Sequence, residues 1–197
     1  MRITLLATLV AAAFGLAAPS AFSQADLSGA VATAPGQARA VAVVTAQARV
    51  TAVDPATRTV TLQLEDGKTR SITVGQDVRN FDQIKVGDTV RAKYVESVSI
   101  ELKKDGKSVL GQTERSSVQR SEPGDKPGGV AIHEVSVTAD VVNVDADKQL
   151  VTVKNDKGEV FDLGVRDPEQ LKLVKKGDQV QATYTEAVAI GLEPAAK

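Results

Sequence analysis

The chain has 197 residues, with 24 Lys and Arg against 25 Asp and Glu, a formal net charge of −1, no cysteine and no tryptophan. A near-neutral balance with both signs interspersed excludes the basic footprint that nucleic acid or an anionic membrane selects. The missing cysteines exclude disulfide staples and thiolate metal sites, so the fold must be held by packing.

Residues 1–23 carry one charge, Arg2, then an apolar run from Ile3 to Ala18, then the small Ala21 and Ser23 on either side of Phe22. This pattern predicts a secretory signal peptide cut after Ser23. The run is shorter than the roughly 20 residues of a membrane-spanning helix, and no later stretch replaces it. The sequence therefore predicts an exported chain with no membrane span after cleavage, in the periplasm or, as the alternative, secreted. Residues 24–40, QADLSGAVATAPGQARA, are small and lack periodicity, and read as a flexible leader.

A first repeat spans residues 41–102. Ala46, Ala48, Val50 and Ala52 alternate with polar neighbours as in a half-buried strand. Asp54-Pro55-Ala56-Thr57 turns the chain into a second strand carrying Val60, Leu62 and Leu64, and Asp66-Gly67 closes a hairpin onto a third strand at Ser71–Val74. Asp77–Ile84 reads as a helical turn. After the turn at Gly87-Asp88, alternation predicts a fourth strand through Val90, Ala92 and Tyr94 and a fifth through Val98, Ile100 and Leu102.

Residues 103–129 are polar, with two prolines and several glycines, and read as a linker or long loop exposing Val109-Leu110. Residues 130–197 then repeat the first unit. Val53-Asp54, Val60 and Gly67 recur 91 residues later as Val144-Asp145, Val151 and Gly158, and Gly87-Asp88 recurs 90 residues later as Gly177-Asp178. Asp167-Pro168 opens the second helical turn. Phe81, Tyr94, Phe161 and Tyr184 are the aromatic residues beyond the predicted signal, two to a copy.

The expected fold is all-β: two tandem small OB-like five-stranded β-barrels, each with a short helical turn. The strings V-T-A-V-D-P-A-T-R-T-V-T-L (50–62), D-G-K (66–68) and I-K-V-G-D-T-V-R-A-K-Y-V-E-S-V (84–98) resemble an uncharacterised family of exported, periplasmic bacterial proteins with small OB-like β-barrel domains. The resemblance covers both repeats and implies fold and export; it implies no catalytic or binding residue. A more distant comparison, with periplasmic copper chaperones of OB type, fails on its ligands, since the chain has no Trp, its one Met is Met1 and its one His is His133.

Tyr94, Glu96, Tyr184 and Glu186 are the candidate ligand-binding residues. In a regular strand Glu96 would share the core-facing side with Tyr94 and Val98, and Glu186 that side with Tyr184 and Val188. Because a buried unpaired carboxylate is costly, the sequence predicts a bend or bulge that takes each glutamate to the surface. The alternative is a Tyr-Glu pair at each barrel mouth, holding a small ligand or a hard cation. Gly87-Asp88 and Gly177-Asp178 read as turns. The acidic stretches at Asp145-Ala146-Asp147 and Asn155-Asp156 lack EF-hand spacing and read as hairpin turns. His133 reads as an exposed or edge histidine, and no metal site is assigned. No nucleotide-binding or G-x-S-x-G motif occurs, and a serine nucleophile would have His133 as its sole histidine base.

The expected function is a non-enzymatic binding or structural module of the cell envelope. It needs no cofactor, has a possible envelope protein partner and takes no nucleic acid. The alternative is a periplasmic small-ligand or metal-ion carrier.

Overall fold

The computed structural model describes residues 26–195; the expected signal peptide and the first two leader residues lie outside them. Ten strands run in order: β1 (Asp26–Ala34), β2 (Gln37–Asp54), β3 (Thr59–Leu64), β4 (Thr69–Thr73), β5 (Thr89–Lys103), β6 (Gly111–Arg120), β7 (Gly128–Asp145), β8 (Leu150–Lys154), β9 (Val160–Gly164) and β10 (Gln179–Glu193). A 3-10 turn at Phe81–Gln83 precedes β5, and the short helix α1 (Pro168–Leu173) precedes β10.

The expectation of an all-β protein stands. All pairings are antiparallel and form one sheet in the order β4-β3-β2-β5-β10-β7-β8-β9, with β1 added to β2 and β6 to β7. This sheet is open and continuous through both copies, whereas two tandem small barrels were expected. The reason lies in the fourth and fifth strands of each copy. They merge into the single strands β5 and β10, which pair with each other across the repeats instead of closing their own.

Segments 24–40 and 103–129 also hold more structure than their composition suggests. Asp26–Ala34 forms β1 on the N-terminal half of β2, and Gly111–Arg120 forms β6 on β7. Small residues have little strand propensity of their own. Here a neighbouring long strand supplies a template of unpaired backbone groups.

β2 and β7 are bent at equivalent places, with register shifts between Val50 and Ala52 and between Val141 and Asn143. Bulges sharpen the local twist. Each carries the short hairpin that follows, β3–β4 or β8–β9, away from the central strands and around a core. One core contains Ala48, Val50, Val60, Leu62, Phe81 and Ile84, with Leu192 of β10 packed on it. The other contains Ala139, Val141, Val151, Val153 and Leu171, with Val180 packed on it. Leu192 belongs to the second copy but covers the core of the first, so the copies share their packing.

The Gly-Asp turns lock this exchange. Asp88 and Asp178 are buried. Asp88 Oδ2 accepts the Lys85 N–H at 2.9 Å and the Lys126 ammonium at 2.5 Å. Asp178 Oδ2 accepts the Lys175 N–H and the Lys104 ammonium, both at 2.8 Å. Lys126 also donates to the Gln83 carbonyl, and Lys104 to that of Leu173. The connection 103–129 is thereby tied to the second copy at one end and to the first at the other. The turn between β1 and β2 reaches the second copy too, where Gln170 accepts the Gly36 N–H at 2.9 Å.

Burial opposes the charged form of Asp88 and of Asp178. The lysine and backbone hydrogen bonds outweigh it and hold both carboxyls below their ordinary value. A carboxyl lowered on folding stabilises the fold above its unfolded pKa, about 4, and loses that contribution as the pH falls through the folded value. Lys126→Met is expected to cost about 1–3 kcal/mol near neutral pH, with the difference from the parent shrinking below about pH 4 in urea titrations. A constant difference at every pH would refute the ion-pair account. Leu62→Ala is expected to cost about 2–5 kcal/mol and to lower one transition covering the whole molecule, where separate barrels would unfold in two steps.

Candidate functional site

β5 and β10 pair without a break from Thr89↔Glu193 to Lys103↔Gln179. The expected bulge at the glutamates is therefore absent, and the bends lie in β2 and β7 instead. Within this register Glu96 stands directly opposite Glu186. These two residues are equivalent in the repeat, so a local two-fold axis passes between them. It exchanges the pair Ala92↔Ile190 with the pair Ile100↔Ala182.

Residues opposite each other in an antiparallel ladder share a face. The central row therefore reads Ala42, Glu96, Glu186, His133 and Ser116 across β2, β5, β10, β7 and β6. The row on one side carries Val44, Tyr94, Val188 and Ala131, and the row on the other carries Ala40, Val98, Tyr184 and Val135. Val90 and Leu192 place the first core on this same face, and Val180 places the second. The four candidate residues therefore form one cluster between the cores, not one site per copy.

The phenols of Tyr94 and Tyr184 both donate to Oε1 of Glu96, each at 2.8 Å. The carboxylate escapes the cost that motivated the predicted bulge for two reasons: it is only half-buried, and it is doubly hydrogen-bonded. Glu186 makes no hydrogen bond or ion pair among the described residues, so the site is two-fold in backbone but not in its hydrogen bonds. Burial, and then the hydrogen bond to the Glu96 carboxylate, raise both phenols, with Tyr184 pushed up to about 12.

Of the two expected placements for His133, exposed or at an edge, the structure excludes the edge and leaves the imidazole partly exposed. It lies half-buried within β7, flanked by β10 and β6 and opposite Glu186. Its Nδ1 is hydrogen-bonded to Ser116 Oγ at 3.0 Å, and its Nε2 lies 3.7 Å from the exposed Glu114 carboxylate. Sequence reasoning missed this neighbourhood because β6 had no strand signature and a cross-strand register cannot be read from one strand. The corresponding residue of the first copy is Ala42, so the imidazole breaks the pseudo-symmetry. Among the described residues no three His, Asp or Glu side chains converge to hold a metal ion. The acidic turns are occupied by their own backbones: Asp145 accepts the Lys148 N–H at 3.0 Å, and Asn155 accepts the N–H groups of Lys157 and Glu159 at 3.0 and 2.9 Å.

A phenol whose pKa rises on folding stabilises the fold fully below its unfolded pKa, about 10, and that contribution disappears as the pH climbs through the folded value. The chain has two tyrosines and no tryptophan, so tyrosinate absorbance reads this cluster alone. Native protein is expected to show no rise near pH 10, with Tyr184 titrating at about 12. Glu96→Gln is expected to bring that midpoint down toward 10, and Glu186→Gln to move it less. A native midpoint near 10, or no response to Glu96→Gln, would contradict the assigned hydrogen bonds. Comparison of the chain with family models, curated proteins and solved structures gives no match.

Proposed function

We propose that the protein is an exported, non-enzymatic module of the cell envelope that binds a protein partner across the apolar face of its central sheet. The observation that carries this reading is the exposure of that face between the two cores. Leu27 is 65% exposed, Val31 72% and Val118 64%, and Val188 and Ile190 are exposed beside the Tyr/Glu cluster. All five share one face by register. Apolar side chains gathered on one face mark interaction surfaces more often than isolated ones do. At the centre of such an interface Glu96 and Glu186 would fix orientation and select against wrong partners more than add affinity.

Export is proposed from the N-terminal signal pattern. Among the described residues no helix is long and apolar enough to cross a membrane. The copies keep the strand, hairpin, turn and strand order of an OB-like unit, and the proposed module is such a pair left open. Ser116 and His133, with Glu114 of the neighbouring row beside the imidazole, have the residue types of a hydrolase relay. Ser116 lies within a regular strand, however, where successive N–H groups point to opposite edges and cannot converge on one oxyanion. This supports the non-enzymatic reading.

One observation favours a second reading, a carrier of a small ligand: Glu186 faces Glu96 with no hydrogen-bond partner of its own among the described residues. Native mass spectrometry of protein from the exported fraction separates the two. A carrier would show extra mass that Glu96→Gln with Glu186→Gln removes. The proposed module would instead crosslink to one defined envelope protein from a photoreactive residue at Val31 or Val188, and not from Thr61 on the opposite face of β3. Equal crosslinking from both faces, or none from the apolar face, would refute it.

A further inference from the structure

The β8–β9 hairpin curls over the same face of the sheet and closes a cavity of about 330 Å³, at the small end of ligand-binding volumes. Its floor is Val137, Ala139, Val180 and Ala182, and Phe161 and Leu163 of β9 cover it. A Cβ built on Gly111, which itself has φ 138°, would lie 3.5 Å from Asp156 Oδ2, so the hairpin turn stands close against the start of β6.

The polar groups at the mouth come from the turn Asn155–Glu159. Glu159 accepts the Asn155 side-chain N–H at 2.8 Å, while Asp156 makes no hydrogen bond or ion pair among the described residues. Lys157 is the one cation in the lining, against Asp156, Glu159 and Asp162. Asp162 borders the cavity through its backbone neighbours Phe161 and Leu163, but by register it stands opposite Thr152 on the other face of the hairpin and accepts that hydroxyl at 2.8 Å. Lys154 of the same hairpin is opposite Val160 and Asp140 and starts from the other face of the sheet, although its Cε comes within 3.8 Å of a Cβ built on Gly158 in the turn; it is not among the residues that line the cavity. An apolar chamber with two carboxylates, Asp156 and Glu159, against the one ammonium of Lys157 at its mouth suits a ligand with a hydrocarbon tail and a cationic head.

We propose that this cavity binds the alkyl chain of a primary amine, with the ammonium held at the mouth by Asp156 and Glu159. The site belongs to the second copy alone. Where Phe161 covers the chamber, the first copy has Arg70, 91 residues earlier. Where Asp156 is free, the first copy has Glu65, which accepts a hydrogen bond from Gln47 at 2.5 Å. A repeat kept for architecture alone would give no reason for this difference.

Calorimetry with butylamine, hexylamine and octylamine on the full chain lacking residues 1–23 tests the proposal. Each added methylene that enters the chamber is expected to tighten binding about fourfold. Octanoate, with the same tail and an anionic head, is expected to bind at least tenfold more weakly than octylamine. Asp156→Asn, on an exposed turn where it threatens no core contact, should cost octylamine about tenfold. Ala182→Phe should abolish binding, with unchanged circular dichroism showing that the sheet is intact. Octanoate binding as tightly as octylamine, affinity independent of chain length, indifference to Asp156→Asn, or no binding of any amine would each overturn it.

Discussion

The pairing of β5 with β10 is the constraint on which the rest of the molecule depends. Each copy supplies one long strand, and the two lie antiparallel in unbroken register. A unit of about sixty residues buries too little apolar surface to be comfortably stable alone. Joining two such units through their longest strands lets Leu192 cover the core of the other copy. It also turns the ends of four strands into a common central sheet. The same register brings two equivalent glutamates face to face, a placement that like charges oppose. The structure answers with two phenol donors on one carboxylate and partial exposure for both.

Much of this was legible in the sequence. The repeat, the hairpins at Asp54–Thr57 and Asp66-Gly67, the Gly-Asp turns and the all-β class follow from short-range patterns, and each is formed by residues a few positions apart. Tyr94, Glu96, Tyr184 and Glu186 stood out because they recur at one offset and share a strand face, and they do form one cluster. What escaped the sequence was long-range. Nothing within Val90–Leu102 says whether its partner is its own repeat or the other one, so two separate barrels were expected where exchange occurs. The bulge expected at Glu96 rested on a core closing over that face. With the face uncovered between the cores, a straight strand carries no such cost. β1 and β6 escaped because their side chains are small or polar and their order is imposed by β2 and β7.

The asymmetry between the copies carries the functional content. Architecture is repeated: Asp88 with Asp178, Val50 with Val141, one bulge with the other. Chemistry is not: His133 replaces Ala42, Phe161 replaces Arg70, and Asp156 stands free where Glu65 is engaged. A two-fold backbone thus presents an apolar face with a polar centre, flanked on one side by a chamber that the other side lacks.

Because the chain has no cysteine of its own, a disulfide placed across β5 and β10 tests the central claim directly. Val95 and Ala187 are opposite each other in the register, on the face away from the glutamates, and directly opposed residues lie within disulfide reach. Val95→Cys with Ala187→Cys should oxidise within one chain, losing two hydrogens in its intact mass, while Val95→Cys with Thr183→Cys should not. Failure of the first pair to close, its closure only between chains, or equal closure of both pairs would contradict the register and the paired glutamates that depend on it.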